Sequence, residues 1–392
     1  MKFIIKKNRK NVGWKIHIII YLFILCFLII LNLNQDLSFA ILPLKEIKNI
    51  ESYLNLCNIS NKSELYFSDL RKFPKISIIS TIYNRGEYLL RFLKSIQNQN
   101  FSDIEIILID DFSSDNSVEL IKQYKSIEKR IILIRNKKNL GTFKSRNIGV
   151  LKSKGKYIIL PDPDDILSQD SLKIFYTFAN KYSYEMLRFN MYIGRNNIHF
   201  SNCANQTPSR PVFQPEIKTF LFYATKKLKQ IDFNVANKFI KRDALIRTLN
   251  LLDKEYLNMY ITNFEDGILN YLLYRTVKSF YFLKKIAYYY IKNKHSITRK
   301  RFTSDTIKFI FIHLKIVFDF SKNNFYEKNM FNALFKRLII KTHIIKRLKL
   351  MKKDRNFFLN AIHYFLENEF VSIKNKNYLE NLKSKLEQLF KI

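Results

Sequence analysis

The stretch YIILPDPDDIL, residues 157–167, ends an apolar run in Asp162, Asp164 and Asp165, interleaved with Pro161 and Pro163. Carboxylates that close repel one another, and each resists ionising unless a cation sits nearby. Either the loop is solvated, or something positive belongs there. Two further apolar runs end in polar residues. IEIILIDD (104–111) closes on Asp110 and Asp111, and KISIISTIYN (75–84) closes on Thr81, Tyr83 and Asn84. Any one Asp after a strand is an ordinary turn former. Acids at the ends of successive strands are a site-like arrangement.

The segments between these runs say how they are held. GEYLLRFLKSIQ (86–97) places Leu89, Phe92, Leu93 and Ile96 on one helical face. SSDNSVELIKQY begins a second helix, with Asn116 and Glu119 spaced as a capping box. IILIRN (131–136) reads as a third strand, GTFKSRNIGVLKSKG (141–155) as a third helix and KYIIL (156–160) as a fourth strand. Strands without polar alternation, separated by helices, imply an α/β fold with a parallel sheet covered on both faces. In such sheets ligands bind outside the carboxyl ends of the strands, where the polar residues above fall.

Composition narrows the function classes. The 392 residues carry 68 Lys and Arg against 33 Asp and Glu, a formal charge of +35 that points to anionic partners. A chain this rich in Lys, Asn, Ile and Phe is also what an AT-biased genome produces, so charge alone does not define a surface. Cys26, Cys57 and Cys203 lack metal-ligand spacing. No GxxxxGK[ST], GxGxxG or HExxH motif occurs. No nucleic-acid recognition module is present, so nucleic acid is not an expected partner.

The amino terminus has a basic stretch, residues 1–15, followed by an apolar run over residues 16–33 that is just long enough to span a bilayer. The bias of positive charge leaves residues 1–15 in the cytosol and carries the rest across. Cleavage of a signal peptide near Ala40 is the alternative; the length of the apolar core favours an uncleaved anchor. Residues 34–73 read as a stem, 74–300 as the α/β domain and 301–392 as a basic helical tail. In that tail IKFIFIHLKIVFDF has the spacing of core packing, and the Lys and Arg of NALFKRLIIKTHIIKRLKLMKK fit solvated faces better than anionic headgroups.

PKISIISTIYNRGEYLLRFLKSIQNQNFSDIEIILIDDFSSDNS and NLGTFKSRNIGVLKSKGKYIILPDPDD together resemble family 2 glycosyltransferases of the GT-A type. The first matches the family's opening strand, helix and acidic second strand with its D-D-x-S-x-D turn. The second matches its N-x-G, RN-x-G and D-x-DD run. Close matching extends from Pro74 to Leu167. NKFIKRDAL (237–245), NFEDGILNYLLYR (263–275) and YYYIKNKHSITRK (288–300) match more loosely. The QxxRW motif of processive members is missing.

The resemblance implies a GT-A, Rossmann-like sheet and a nucleotide-diphosphate sugar as donor, with a UDP-sugar favoured. It places Thr81, Tyr83, Asn84, Asp110 and Asp111 around the base and ribose, and Arg146 at the nucleotide or its phosphates. Asp162, Asp164 and Asp165 form the D-x-D element that holds ribose and a Mn²⁺ or Mg²⁺ ion on the diphosphate. Asp266, with Glu265 as runner-up, is the implied general base of a single inverting displacement. His295 lies near the position of a basic residue that faces the metal or diphosphate, although a lone His among lysines is more often exposed. The implied enzyme transfers a hexosyl or N-acetylhexosaminyl group to a glycan, lipid or protein hydroxyl. Joined to the anchor, this predicts a single-pass type II membrane protein of the Golgi or endoplasmic reticulum lumen. The rival expectation is a catalytically silent nucleotide-sugar-binding or scaffold protein of the same fold.

Overall fold

Three βα units open the described part of the chain. They are β1 (Ile76–Ile82) with α1 (Gly86–Gln97), β2 (Ile104–Asp110) with α2 (Ser117–Ile127), and β3 (Ile131–Arg135) with α3 (Thr142–Lys152). β4 (Tyr157–Ile159), β5 (Ile166–Leu167) and α4 (Ser171–Tyr182) follow, then β6 (Met186–Gly194), β7 (His199–Phe200) and β8 (Val212–Phe213). β9 (Lys238–Lys241) leads to α5 (Arg242–Leu249), α6 (Lys254–Asn258), α7 (Glu265–Thr276) and β10 (Ser279–Ile291). Helices α8 (Ser304–Ser321), α9 (Arg355–Leu366) and α10 (Ile373–Phe390) complete it. This computed structural model describes residues 73–194, 199–200, 211–214, 234–291, 303–321, 327, 331–332, 334–340, 344, 351, 354–368 and 371–390.

The sheet runs β3-β2-β1-β4-β9-β6-β10-β5, with β7 on β6 and β8 on β10. β1 to β4 are parallel, in the order the local pattern requires. Beyond them the expectation of a wholly parallel sheet fails. β9 enters antiparallel to both β4 and β6, and among the described residues only β6 and β10 pair in parallel in that half. The reason is connectivity. A helical crossover returns each of the first four strands to the same edge, whereas β9 arrives from a long excursion and is free to run the other way.

Both faces of the sheet are covered. Ile76, Ile78 and Ile82 of β1, with Ile104, Ile106 and Leu108 of β2, pack under Leu89, Phe92 and Ile96 of α1 and Phe175 of α4. The alternate residues Ile79, Ile107 and Ile109 pack under Val150 of α3, Leu245 of α5 and Leu269 and Leu273 of α7. A period of two with apolar residues in both phases produces this double burial. The capping box at Asn116 is not made: Asn116 has no side-chain capping bond. Asp115 replaces it, accepting from the N–H groups of Ser117 at 3.0 Å and Gly86 at 2.9 Å. One carboxylate thereby ties the starts of α1 and α2 together.

The carboxy-terminal helices build a third apolar cluster, and the spacing of IKFIFIHLKIVFDF in α8 is used for core packing. Ile307, Phe311, Phe318, Phe358, Phe365 and Leu382 are buried in it together with Ile268, Tyr271 and Leu272 of α7. Helix α7 is thus buried on both sides, against the sheet and against these helices.

The expected single-pass type II placement in the Golgi or endoplasmic reticulum, and membrane attachment through it, is not supported. Among the described residues no helix is long and apolar enough to cross a membrane. The apolar α8 is interrupted by Asp305, Lys308, Lys315 and Asp319 and contributes to the core. The expected anchor, residues 16–33, lies outside the described residues, as does His295 with its basic neighbours Lys292, Lys294 and Arg299.

Candidate active site

Arg146 organises the cleft at the carboxyl edge of the sheet. Its helix, α3, can lie directly on the strands because residue 149 is glycine. A β-carbon there would come within 2.4 Å of Ile79 Cγ2 and 2.6 Å of Ile109 Cδ1. The Arg146 side chain is 5% exposed and sits among three carboxylates. Its Nη1 donates to Asp266 Oδ1 at 2.5 Å and lies 3.8 Å from Glu265 Oε1, while Nη2 lies 3.8 Å from Asp162 Oδ1. Burial works against the guanidinium charge, but Asp266, Glu265 and Asp162 outweigh it and hold the proton more firmly than usual. These partners are as far as 120 residues away along the chain.

The carboxylates are not alike. Glu265 and Asp266 begin α7, behind Phe264 with its left-handed φ of 65°. A bulky residue rarely adopts that conformation, and the Phe264 ring is held against the carboxy-terminal core. Asp266 is the more open of the pair, with a side chain 24% exposed against 11% for Glu265. Among the described residues its Oδ2 accepts a long bond, 3.4 Å, from the Val235 N–H. Burial first, and then the negative charge of Asp266, push Glu265 up to about 7, with Arg146 opposing.

That shift sets a pH dependence. At about pH 4 Glu265 is protonated in both folded and unfolded chains. As pH rises from the ordinary 4.5 towards 7 the unfolded chain ionises first, so stability falls; above 7 the cost is constant. Glu265→Gln, neutral throughout, is expected to melt above the parent at about pH 8 and level with it at about pH 4. Paired thermal melts check this, and an equal difference at both pH values would refute it.

The 161–165 loop is braced by β10. The Tyr288 hydroxyl donates to Asp165 Oδ2 at 2.7 Å and accepts from the Asp162 N–H at 2.9 Å. The Ile291 N–H donates to Asp165 Oδ1 at 2.8 Å. Asp165 is 1% exposed, and burial with the charge of Asp164 raises it to about 7. Expected among metal ligands, Asp165 instead has both oxygens engaged in fixing the loop. Asp162 and Asp164 are left towards the cleft, Asp164 with Oδ2 3.8 Å from Arg85 Nε. Desolvation and the charges of Asp266, Asp165 and Asp164 raise Asp162 well above the usual carboxylate range. That surplus negative charge is what a divalent cation would relieve. Among the described residues no group of three or more His, Cys, Asp or Glu could hold a metal by itself. A pair of carboxylates suits Mg²⁺ or Mn²⁺ whose remaining positions are filled by phosphate oxygens and water.

At the other end of the cleft Asp111 is 3% exposed, and its Oδ1 accepts from Asn136 Nδ2 and the Leu140 N–H, each at 2.8 Å. Thr81, half-buried, is paired with Ile109, and the half-exposed Tyr83 follows β1. Asp110 and Asn84, expected at the nucleotide, are engaged elsewhere. Asp110 is fully buried, accepting from Arg135 Nε and the Ser113 N–H, both at 3.2 Å. Asn84 takes a left-handed φ of 50° and accepts from the Ser114 N–H at 2.9 Å. Both brace the loop after β2.

Sequence reasoning missed Tyr288. The run YYYI carried a signal for it, since three tyrosines in a strand cannot all face one side.

Residues 77–249 match the family described as Glycosyl transferase family 2. The chain is 25% identical over 241 residues to glycosyltransferase GlyG of Streptococcus pneumoniae, covering 58% of this chain and 74% of that protein. It is 42% identical over 100 residues to a glycosyltransferase of Haemophilus influenzae, covering 26% of this chain but only 40% of that protein. In fold it is similar to S. aureus TarS 1-349, crystallised with UDP-GlcNAc, with a TM-score of 0.58 and 17% identity. That likeness covers 80% of this chain and 88% of the other.

Proposed function

We propose that this chain, which belongs to glycosyltransferase family 2 through residues 77–249, transfers a hexosyl or N-acetylhexosaminyl group from a UDP-sugar to an acceptor hydroxyl with inversion. The observation that carries this reading is the convergence of Arg146 with Asp162, Glu265 and Asp266 in one cleft. The UDP-GlcNAc complex of a protein with the same fold supports uridine as the nucleoside.

Asp111, oriented by Asn136 and Leu140, accepts from the nucleobase N–H or the ribose hydroxyls, a charge-assisted bond. Asp162 and Asp164 would hold a divalent cation, which when bound would neutralise the charge developing on the departing nucleoside diphosphate. Arg146 aims Asp266 through its Nη1–Oδ1 hydrogen bond. Asp266 takes the proton of the acceptor hydroxyl as that oxygen attacks the anomeric carbon and the bond to the diphosphate breaks. One displacement inverts the anomeric centre, so no covalent nucleophile is needed.

The test uses the full chain. Calorimetric titration with UDP, GDP and CDP, with and without Mn²⁺, is followed by release of free sugar from a UDP-sugar. UDP should bind in preference, more tightly with Mn²⁺, with the metal-dependent part lost in Asp164→Ala. Absence of any nucleotide binding would sink the proposal. Binding without turnover would leave the silent form.

A further inference from the structure

We propose that Tyr260 is one wall of the nucleoside slot, with Tyr83 the other wall and Asp111 its polar anchor. This rests on the nucleotide-sugar reading above and adds to the site a residue from outside the βα units.

The placement follows from a chain of contacts. Asp111 Oδ1 accepts from the Leu140 N–H at 2.8 Å. The next residue is Gly141, with a φ of 82° that L side chains rarely adopt. A β-carbon on Gly141 would lie 3.0 Å from Ile261 N and O and 3.2 Å from Tyr260 Cδ2. The Tyr260 ring therefore lies over the turn that delivers Leu140 to Asp111. The Asp111 N–H in turn donates to the Ile82 carbonyl at 2.8 Å, which brings the next residue, Tyr83, to the same carboxylate. Both rings are half-exposed, Tyr260 at 51% and Tyr83 at 48%, flanking a carboxylate only 3% exposed. Burial, then the charge of Asp111 and the Tyr83 phenol, raise the Tyr260 phenol above its usual value, which fits that proximity.

The segment is held from behind. Ile261 is fully buried in the carboxy-terminal core, and its carbonyl accepts from the Phe143 N–H at 3.1 Å. The Tyr260 ring lies 6.4 Å from that of Phe309 on α8. Aromatic faces flanking a polar anchor suit a flat, hydrogen-bonding heterocycle, which stacks on tyrosine whatever its sequence context. The carboxy-terminal helices would thus take part in donor recognition through Tyr260.

The experiment titrates the full chain and its Tyr260→Ala and Tyr260→Phe variants with UDP, UMP and, in the presence of Mn²⁺, inorganic pyrophosphate. Loss of one stacking face should weaken UDP and UMP alike, by about tenfold or more in Tyr260→Ala. Tyr260→Phe, which keeps the ring, should stay within about twofold. Pyrophosphate binding should not change. UMP binding unaltered in Tyr260→Ala overturns the proposal, as does an equal loss for pyrophosphate, which would mean general distortion. Failure of the parent to bind any uridine nucleotide would overturn the nucleotide-sugar reading, and this assignment with it.

Discussion

Asp266→Asn should lower kcat for sugar release by about 10²- to 10⁴-fold, the usual contribution of a positioned general base. UDP affinity should stay within about threefold, since the proposed mechanism gives Asp266 to the acceptor hydroxyl and Asp111, held by Leu140, to the nucleoside. The amide preserves shape and can still accept from Arg146, so the loss reports basicity rather than collapse. Glu265 is the control. It is less exposed than Asp266 and sits farther from the guanidinium, at 3.8 Å against 2.5 Å. If Glu265→Gln lost as much turnover as Asp266→Asn, or Asp266→Asn kept more than about a tenth of kcat, the assignment of the base would be wrong.

Arg146→Leu is expected to cost about 3–5 kcal/mol of stability near neutral pH, the range found when one partner of a buried ion pair is removed. Here three carboxylates lose their common counter-charge at once. The sign of the pH effect is determined by the acids left behind. Glu265 and Asp162 are already raised with Arg146 present, and removing it raises them further. Their ionised forms therefore destabilise the fold above the ordinary carboxylate range, and the cost disappears as pH falls below it, where both states are protonated. Denaturant titrations at about pH 8 and pH 4 should show a large deficit at the first and a small one at the second. A deficit independent of pH would mean that Arg146 acts by packing alone. Arg146→Lys should recover part of the stability, because charge is kept while the planar fork that reaches both Asp266 and Asp162 is lost.

Much of this was legible along the chain because it is local. Leu89, Phe92, Leu93 and Ile96 share a face by helical period alone, and all four are buried. Ile76 to Ile82 and Ile104 to Asp110 carry isoleucine or leucine in both phases, so both faces of their strands had to be covered. The acids at 110–111 and 162–165 follow such strands, which brings them to the carboxyl edge before any long-range contact is considered.

What the sequence determined by itself is therefore the set of residues at that edge, and with it the resemblance that the match over residues 77–249 bears out. It could not rank them. Asp110 and Asp111 are neighbours with the same side chain. One is locked under Arg135 and the other is held at the cleft by Asn136, because alternation along a strand end sends them to different surroundings. Asp164 and Asp165 divide in the same way, and Tyr288, arriving from β10, decides which becomes the brace. The antiparallel entry of β9, the meeting of Arg146 with Asp266, and the position of Tyr260 over Gly141 all join segments far apart in the chain. Such contacts are selected by how buried surfaces pack together, a property of the assembled core that no local spacing contains.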